Sequence, residues 1–191
     1  VKTNSLNKTE FKFGTFQSLY KLNPALLRTW SEILAQCEGA KLVMAAPEGG
    51  KTILRNLLEE YEFDISRVEF VPLLRQDLHL ERLSSVNCIL DTFPYNGGTS
   101  VADSLAAGVP VVSLQGKAIV SRVASSILVA ADLPELVAKN EKEYIQLARE
   151  VFLKNISIHD CQEKIKNSYF ARPADFSSDL YEALTNITLR S

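Results

Sequence analysis

Apolar residues along the chain form short unbroken runs that alternate with amphipathic segments. The runs begin with a short alternation of phenylalanines from Phe11 and continue at residues 41–45, 68–71, 88–90 and 109–114. The segments between them repeat apolar residues at helical spacing, and they cover residues 25–36, 52–61, 78–85, 100–107 and 122–130. Unbroken apolar strands are typical of strands buried on both faces, and strict strand–helix alternation favours right-handed parallel crossovers. The pattern therefore predicts an α/β fold with a Rossmann-like, doubly wound parallel sheet.

The two ends of the chain depart from this alternation. Residues 1–10 are polar and unpatterned, which predicts a leader or interdomain linker, and residues 11–191 are expected to form the domain. From residue 133 onward the spacing is helical only, so the sheet is expected to end before it. Between residues 174 and 189, apolar residues at helical spacing predict a last packing helix: Phe176, Leu180, Leu184 and Ile187. The fold is therefore expected to have a helical C-terminal tail.

Composition narrows the classes of function. The 191 residues are 46% apolar and 23% charged, which is typical of one soluble domain with a full core. A net charge of −2 provides no general basic surface, so binding to nucleic acid or to an anionic membrane is not expected. Any bound anion needs a local site. The longest uncharged stretch, which begins at residue 104, is far shorter than the roughly 20 apolar residues that span a bilayer.

The positions of the cysteines and of the single methionine indicate the cellular compartment and whether the sequence is a whole protein. Cys37, Cys88 and Cys161 are widely spaced and form no CxxC pair, which indicates buried reduced thiols and a cytoplasmic location. The chain begins with Val1 and its single methionine is Met44. We therefore expect the sequence to be part of a longer protein.

Residues 90–103, LDTFPYNGGTSVAD, carry the clearest candidate chemistry. They predict a strand end, a glycine-rich turn and a helix start. Gly97 and Gly98 let a ligand approach the backbone, and the helix start offers the hydroxyls and unpaired amides of Thr99 and Ser100 to an anion. The alternative is an ordinary turn with a Thr or Ser helix cap. The segment matches neither the Walker motif nor GxGxxG.

Polar side chains in the other loops at the carboxyl ends of strands are further candidates, because ligands of doubly wound sheets bind there. Asp103 follows Ser100 by one helical turn and suits ribose hydroxyls, while Lys21 follows the first strand and suits a diphosphate. His79 and Arg82 share one helix face after the third strand, as donors to a base or a phosphate. For Asp103 and Lys21 the simpler explanation is a solvated surface charge. Two histidines do not make a conventional zinc site, so no metal is expected.

Several motifs that follow one another in a fixed order resemble one protein family. They are residues 16–24 (FQSLYKLNP), 90–103, 107–112 (AGVPVV), 121–126 (SRVASS) and 136–140 (LVAKN), followed by Tyr144. Together they resemble the carboxyl-terminal catalytic lobe of the O-GlcNAc transferase and SPINDLY family of glycosyltransferases, in its bacterial form. The resemblance covers nearly the whole chain from Phe11. It implies the C-terminal half of a GT-B architecture, in which this lobe binds the nucleotide sugar.

The resemblance also implies a role for each candidate residue. Lys21 would contact the diphosphate and stabilise the leaving group, the helix start would cap it, and Asp103 would hold the ribose. His79 and Arg82 match positions near the base and the diphosphate, and Leu74 would offer backbone groups to the base. The residues placed at the nucleotide sugar in this way are Lys21, Leu74, His79, Arg82, Gly97, Gly98, Thr99, Ser100 and Asp103.

The implied reaction is an inverting transfer of GlcNAc or a related hexose from a UDP-sugar to Ser or Thr hydroxyls of a protein. The leaving nucleoside diphosphate gains negative charge, which a lysine and a helix N-terminus stabilise without a metal or another cofactor. The family's amino-terminal lobe, which supplies a catalytic histidine, and its tetratricopeptide repeats are not among these residues and would be partners in the full-length protein. The chain alone is expected to bind the donor but not to transfer the sugar.

Departures from the family pattern keep alternatives open. Gly98 stands where the human-type O-GlcNAc transferases have a histidine, and Ser18 stands where they have a glutamine. Residues 92–95 (TFPY) are closer to SPINDLY-like and bacterial members, some of which use GDP-fucose, whereas Asp103 and residues 121–123 are closer to users of UDP-GlcNAc. A UDP-sugar is preferred. The alternatives are a GDP-fucose-using O-fucosyltransferase lobe and a non-catalytic nucleotide-sugar-binding or interaction module.

Overall fold

The computed structural model describes residues 10–188. Within that range the strands are β1 (Lys12–Thr15), β2 (Lys41–Ala45), β3 (Val68–Val71), β4 (Cys88–Leu90), β5 (Val111–Leu114) and β6 (Val137–Ala138). They form one sheet in the spatial order β3-β2-β1-β4-β5-β6, and every neighbouring pair is parallel. This is the strand order of a Rossmann-like, doubly wound sheet, so the predicted fold is confirmed.

Helices connect and flank these strands. They are α1 (Pro24–Gln36), α2 (Lys51–Glu60), α3 (Gln76–Leu83), α4 (Thr99–Ala106), α5 (Val123–Ala130), α6 (Glu141–Phe152), α7 (Ile158–Asn167) and α8 (Pro173–Thr188). The five helices predicted between the apolar runs are confirmed, each within two residues of its expected bounds. The start of α1 illustrates why, because the Asn23 side chain accepts a hydrogen bond from the Leu26 amide at 3.0 Å and Pro24 takes the first helical position.

One expectation about the sheet is wrong, since the sheet does not end before residue 133. Val137 and Ala138 form β6, which pairs in parallel with Ser113 and Leu114 of β5. The strand β6 is only two residues long. It follows the helical turn Pro134–Leu136 directly, and one residue, Lys139, separates it from Asn140, the cap of α6. A strand this short shows neither an apolar run nor an alternation, so a pattern of hydrophobic positions does not reveal it.

The direction of chain winding changes between β1 and β4. From β1 the chain builds outward through β2 and β3, and it then crosses to the other side of β1 to form β4, β5 and β6. Phe13 and Gly14 of β1 lie opposite Cys88 and Ile89 of β4. The loops that leave the carboxyl ends of these two strands therefore diverge, and they open the crevice where doubly wound folds bind ligands.

The core of the domain is linked directly to the end of β4. Trp30 of α1 and Tyr144 of α6 are fully buried, and the Trp30 indole donates a hydrogen bond to the Tyr144 hydroxyl at 3.2 Å. That hydroxyl in turn donates to the backbone carbonyl of Asp91 at 2.8 Å. The residue that follows β4 is therefore fixed by the packing of two helices.

The three thiols lie inside this core. Cys37, Cys88 and Cys161 are buried and free, as the sequence predicted. Burial raises the pKa of the Cys37 and Cys161 thiols to about 11, so both remain protonated near neutral pH.

Both predicted end segments reach beyond the described residues. Of the predicted leader, residues 1–10, only Glu10 lies inside them, and the predicted last helix is described as far as Thr188. That helix is confirmed as α8, but the expectation that its apolar face is packed is wrong. The four residues of that face are 47–67% exposed: Phe176, Leu180, Leu184 and Ile187. The domain boundary near residue 10 stays a prediction. No helix within residues 10–188 is both long and apolar enough to cross a membrane.

Candidate functional site

A buried carboxylate anchors the glycine-rich turn at the end of β4. Asp91 follows the strand directly and is fully buried. Its Oδ1 accepts a hydrogen bond from the Gly97 amide at 2.7 Å, and its Oδ2 accepts one from the Ser113 hydroxyl at 2.6 Å. The turn of residues 92–98 is thereby drawn back over the end of the sheet, which places its last residues at the mouth of the crevice.

The environment of Asp91 opposes its ionisation. Burial raises the pKa of this carboxyl group to about 7, although the hydrogen bonds from Ser113, Gly97 and Thr92 and the charge of Lys21 act in the opposite direction. A carboxyl group with this pKa changes its charge near neutral pH. The anchor of the turn is therefore sensitive to pH in a range where most carboxylates are fully ionised.

Helix α4 begins at the end of this turn without a capping side chain. Gly98 holds the cap position, and Thr99 and Ser100 are the first two helical residues. The alternative of an ordinary turn with a Thr or Ser cap is therefore not what forms. The Val101 and Ala102 amides donate to the Gly98 carbonyl, whereas the Thr99 and Ser100 amides precede the first hydrogen bond of the helix and have no partner within it. The positive end of the helix dipole lies there. Thr99 is exposed, and Gly98, Thr99 and Ser100 all line the crevice.

Lys21 reaches the same place from the loop after β1. Its ammonium donates to the Gln17 side-chain oxygen at 3.0 Å and to the Asn96 carbonyl at 3.0 Å, and it lies 4.4 Å from the centre of the Tyr95 ring. The cleft between the two loops has a volume of about 470 Å³. It is lined by Phe16, Gln17, Ser18, Tyr20, Lys21, Tyr95, Asn96, Gly98, Thr99, Ser100, Val120 and Val123.

A second cluster of polar side chains lies on the other side of Phe16. The Arg82 guanidinium lies 4.4 Å from the centre of the Phe16 ring, donates to the Pro72 carbonyl at 2.6 Å and contacts His79 Nδ1 at 2.8 Å. A guanidinium only donates, so Nδ1 accepts and a neutral His79 carries its proton on Nε2. Burial first, and then the charge of Arg82, lower the pKa of His79 below its ordinary value. The ring is therefore neutral at pH 7, with one N–H to offer a ligand.

Two predicted site residues stand at the edge of this second cluster. Asp103 is half-buried on α4, and its charge acts on His79 in the direction that raises the histidine pKa. It is not among the residues that line the cleft with Lys21. Leu74 lies in the loop between β3 and α3 and is 38% exposed.

The structure therefore places the nine predicted residues in two adjoining groups. Four residues of the first group line one cleft: Lys21, Gly98, Thr99 and Ser100. Gly97, the fifth, belongs to the same turn but is buried, and its amide donates to Asp91. The second group lies beyond Phe16: Leu74, His79, Arg82 and Asp103. The binding roles assigned to them stay predictions.

Sequence reasoning does not single out two residues that organise the cleft. In the sequence Asp91 marks only the end of a strand, although a carboxylate directly after a strand at the change of winding direction is itself a signal. Gln17 is one letter of a longer motif. Its partners are Asp91 and Ser100, which lie 74 and 83 residues further along the chain. Such distant contacts leave no trace in local spacing.

A larger groove lies elsewhere on the surface. Its volume is about 570 Å³, and it is lined by side chains of α1 and α6, among them Arg28, Glu32, Glu141 and Arg149. The charges in it have both signs, and no loop from the carboxyl end of a strand contributes to it. Volume alone favours this groove as the ligand site. The smaller cleft, however, has the convergent amides and the ammonium that an anion requires.

Comparisons with known proteins bear on this cleft. A family model described as glycosyl transferase family 41 matches residues 2–183. A Petunia hybrida protein named "Probable UDP-N-acetylglucosamine--peptide N-acetylglucosaminyltransferase SPINDLY" is 37% identical over 142 residues, which are 71% of this chain and 15% of that protein. A Caenorhabditis elegans protein named UDP-N-acetylglucosamine--peptide N-acetylglucosaminyltransferase is 35% identical over 137 residues, which are 71% of this chain and 12% of that protein.

A solved structure extends the similarity to three dimensions. A mutant of the O-GlcNAc transferase of Thermobaculum terrenum matches with a TM-score of 0.84 and 27% identity. The match covers 92% of this chain and 35% of that protein. The chain therefore spans between 12% and 35% of the length of these relatives.

Proposed function

The chain belongs to glycosyl transferase family 41, and we propose that it is the lobe that binds the nucleotide-sugar donor in a larger inverting glycosyltransferase. The donor is a UDP-sugar, carrying GlcNAc or a related hexose. The acceptor is a Ser or Thr hydroxyl of a protein. The names of the relatives support this choice of donor and acceptor class.

The observation that carries the proposal is the meeting of an ammonium and a helix N-terminus in one cleft. Lys21 and the first turn of α4 approach from different strands, on either side of the change in winding direction. A diphosphate needs positive charge and several N–H donors within a few ångströms, and this cleft supplies both. We call this group of residues the phosphate half: Lys21, Gly97, Gly98, Thr99 and Ser100.

The same groups supply a chemical function during transfer. As the bond between the sugar and the diphosphate breaks, negative charge grows on the leaving phosphate oxygens. A fixed ammonium and the helix dipole stabilise that charge, and neither has to reorganise during the step. We expect no metal to be required, and binding of UDP is expected to be unchanged by EDTA.

The second group of residues suits the nucleoside. The His79 Nε2–H, the backbone of Leu74 and the Asp103 carboxylate offer donors and acceptors for a base and a ribose. We call this group the base half: Leu74, His79, Arg82 and Asp103. Gly98 and Ser18 replace a histidine and a glutamine of the human-type pattern, so fewer side chains are available to contact the sugar of the donor. The choice of GlcNAc or a related hexose is therefore proposed from the relatives and not from these residues.

Calorimetric titration of the 191-residue chain with UDP, UDP-GlcNAc, GDP and GDP-fucose tests the proposal. Saturable UDP binding is expected, and Lys21→Ala should weaken it by about 100-fold because a charge-assisted hydrogen bond to phosphate is removed. Asp103→Ala should weaken it by about 10-fold through the ribose. Lys142→Ala removes an exposed lysine of α6 and serves as the matched control.

Each outcome of these titrations has a definite meaning. A preference for guanosine nucleotides would replace the UDP-sugar by GDP-fucose as donor. Binding of no nucleotide by the folded chain would contradict the donor-lobe proposal and favour an interaction module. The chain alone should show no sugar transfer to an acceptor peptide, because we propose that the catalytic base lies on a second lobe of the larger enzyme.

A further inference from the structure

The side chain of Gln17 lies between the two groups of the phosphate half that approach from opposite loops. Its Oε1 accepts a hydrogen bond from the Lys21 ammonium at 3.0 Å, and its Nε2 donates to the Ser100 hydroxyl oxygen at 2.6 Å. One amide therefore links the loop after β1 to the first turn of α4. Nothing in the proposed function assigns a role to this residue.

Asp91 determines which way the Gln17 amide faces. The Nε2 of Gln17 also donates to Asp91 Oδ1 at 3.3 Å, and this oxygen is an acceptor because it accepts from the Gly97 amide as well, at 2.7 Å. The reversed amide would place its oxygen against that carboxylate and its NH₂ against the Lys21 ammonium. The buried anchor of the turn thus leaves the Gln17 oxygen facing the lysine.

The hydrogen bonds of Lys21 leave one donor for a ligand. An ammonium has three N–H groups, and in the described residues two of them go to the Gln17 oxygen and the Asn96 carbonyl. Ser100 accepts from Gln17 and keeps its own hydroxyl proton to donate. Both residues line the cleft and are therefore held in place, while each retains one N–H or O–H that is not used in these hydrogen bonds.

The turn is shaped to admit this amide. A Cβ added to Gly97 would overlap both the Gln17 side-chain nitrogen and the Ser100 hydroxyl oxygen. A Cβ added to the neighbouring Gly98 would meet only Val123, at 3.6 Å. The space above Gly97 is therefore occupied by the amide of Gln17. Glycine is needed at this position because a side chain would collide with that amide, and not because the turn needs a flexible backbone.

We propose that Gln17 is a positioning residue, which holds the Lys21 ammonium and the Ser100 hydroxyl at the separation that a nucleoside diphosphate requires. This inference rests on the proposed function of the cleft. Gln17 acts through Lys21 and makes no essential contact with the phosphates. Without it the lysine side chain regains its rotational freedom and loses part of its affinity for phosphate.

The variant Gln17→Met tests this role, because methionine has a similar length and volume but neither donates nor accepts in the same way. UDP binding is measured by calorimetry and uridine binding by NMR titration. Gln17→Met should weaken UDP binding by about 10-fold and leave uridine binding unchanged, because only the diphosphate meets Lys21. Gln146→Met, at an exposed position of α6, is the matched control and should alter neither.

A double-mutant cycle separates positioning from direct contact. If Gln17 acts through Lys21, Gln17→Met should cause little further loss of UDP affinity in the Lys21→Ala background. Fully additive losses would mean that Gln17 contacts the phosphates itself, and would overturn the inference. Equal weakening of UDP and uridine would indicate a general structural defect and would also overturn it.

The inference and the proposed function fail in different ways. If the wild-type chain binds UDP and Gln17→Met binds it equally well, the inference is wrong and the proposed function stands. If the wild-type chain binds no UDP, both are wrong. A measurement without nucleotide completes the test: NMR relaxation of the Lys21 side chain should show increased motion in Gln17→Met, whereas unchanged motion would contradict positioning.

Discussion

The phosphate half and the base half of the cleft rest on very different supports. The phosphate half stands on the fully buried Asp91, which is hydrogen bonded to the turn, to β5 and, through Gln17, to the loop after β1. Apart from Asp103 on α4, the base half stands on α3 and the loop before it, where Leu73, Leu78 and Leu80 are 65%, 48% and 39% exposed. The phosphate half is therefore held by hydrogen bonds to the buried core, whereas most of the base half lies on a segment with an exposed surface.

This difference separates what the fold fixes from what it leaves adjustable. A diphosphate is common to all nucleotide sugars of this kind, and its site is held by buried hydrogen bonds that are costly to disturb. The base and the sugar vary among donors, and the residues that face them lie on segments that change at little cost to stability. The identity of the donor is therefore expected to depend on the base half and on the sugar end, while affinity for phosphate depends on the core.

The largest expected effect concerns the charge of Asp91. Its pKa is about 7 in the folded chain and about 3.9 in an unfolded one, so the folded state holds more protons between these values. The contribution of Asp91 to stability is therefore most favourable below about pH 4 and declines as the pH rises to about 7, by about 4 kcal/mol in total. Asp91→Asn keeps the shape of the side chain and removes the titration.

Urea unfolding of the wild type and Asp91→Asn at several pH values measures this contribution. The stability of Asp91→Asn relative to the wild type should increase from about pH 4.5 to about pH 7.5. Asp77→Asn, at the exposed start of α3, is the matched control, because it makes the same substitution at a solvent-exposed carboxylate. A relative stability that does not change with pH would contradict the buried, weakly ionised anchor.

The next effect distinguishes the two adjacent glycines of the turn. Gly97→Ala should weaken UDP binding by about 100-fold, because the new Cβ displaces the Gln17 amide and the Ser100 hydroxyl together. Gly98→Ala should weaken it by no more than about threefold, since its Cβ meets only Val123 at ordinary contact distance. Calorimetry on the two variants checks this contrast. Equal losses would show that the turn needs flexibility and not space above Gly97.

A smaller effect is expected in the base half. Arg82→Met removes the hydrogen bonds to His79 and to the Pro72 carbonyl, so the imidazole loses its fixed orientation. UDP and uridine should both bind about fivefold more weakly, because the proposed partner of His79 is the nucleoside that both ligands share. Arg75→Met, which removes a highly exposed arginine of the same region, is the control. Weakening confined to UDP would move Arg82 into the phosphate half.

Sequence reasoning and structure agree where the signal is local. The unbroken run of β2, the Asn-Pro start of α1 and the two glycines before α4 each depend on neighbours within a few residues, and each was predicted correctly. The strand β6 was missed because two residues are too few to form a pattern.

The organisation of the cleft could not be predicted in the same way. Asp91 interacts with Ser113, 22 residues away, and Gln17 with Ser100, 83 residues away. The direction of the Gln17 amide depends on all these partners at once. Residue types and positions were therefore accessible from the sequence, whereas the hydrogen-bond network that joins them required the fold.

The central claim is that the cleft between the loops after β1 and β4 binds the diphosphate of a nucleotide sugar. Backbone amide NMR shifts recorded during titration with pyrophosphate and then with UDP test it most directly. Pyrophosphate should shift the amides of Gly97, Gly98, Thr99 and Ser100, and UDP should shift these and the amide of His79 in addition. Shifts concentrated in the groove between α1 and α6, at Thr29 and Lys142, or no shifts with either ligand, would contradict the account.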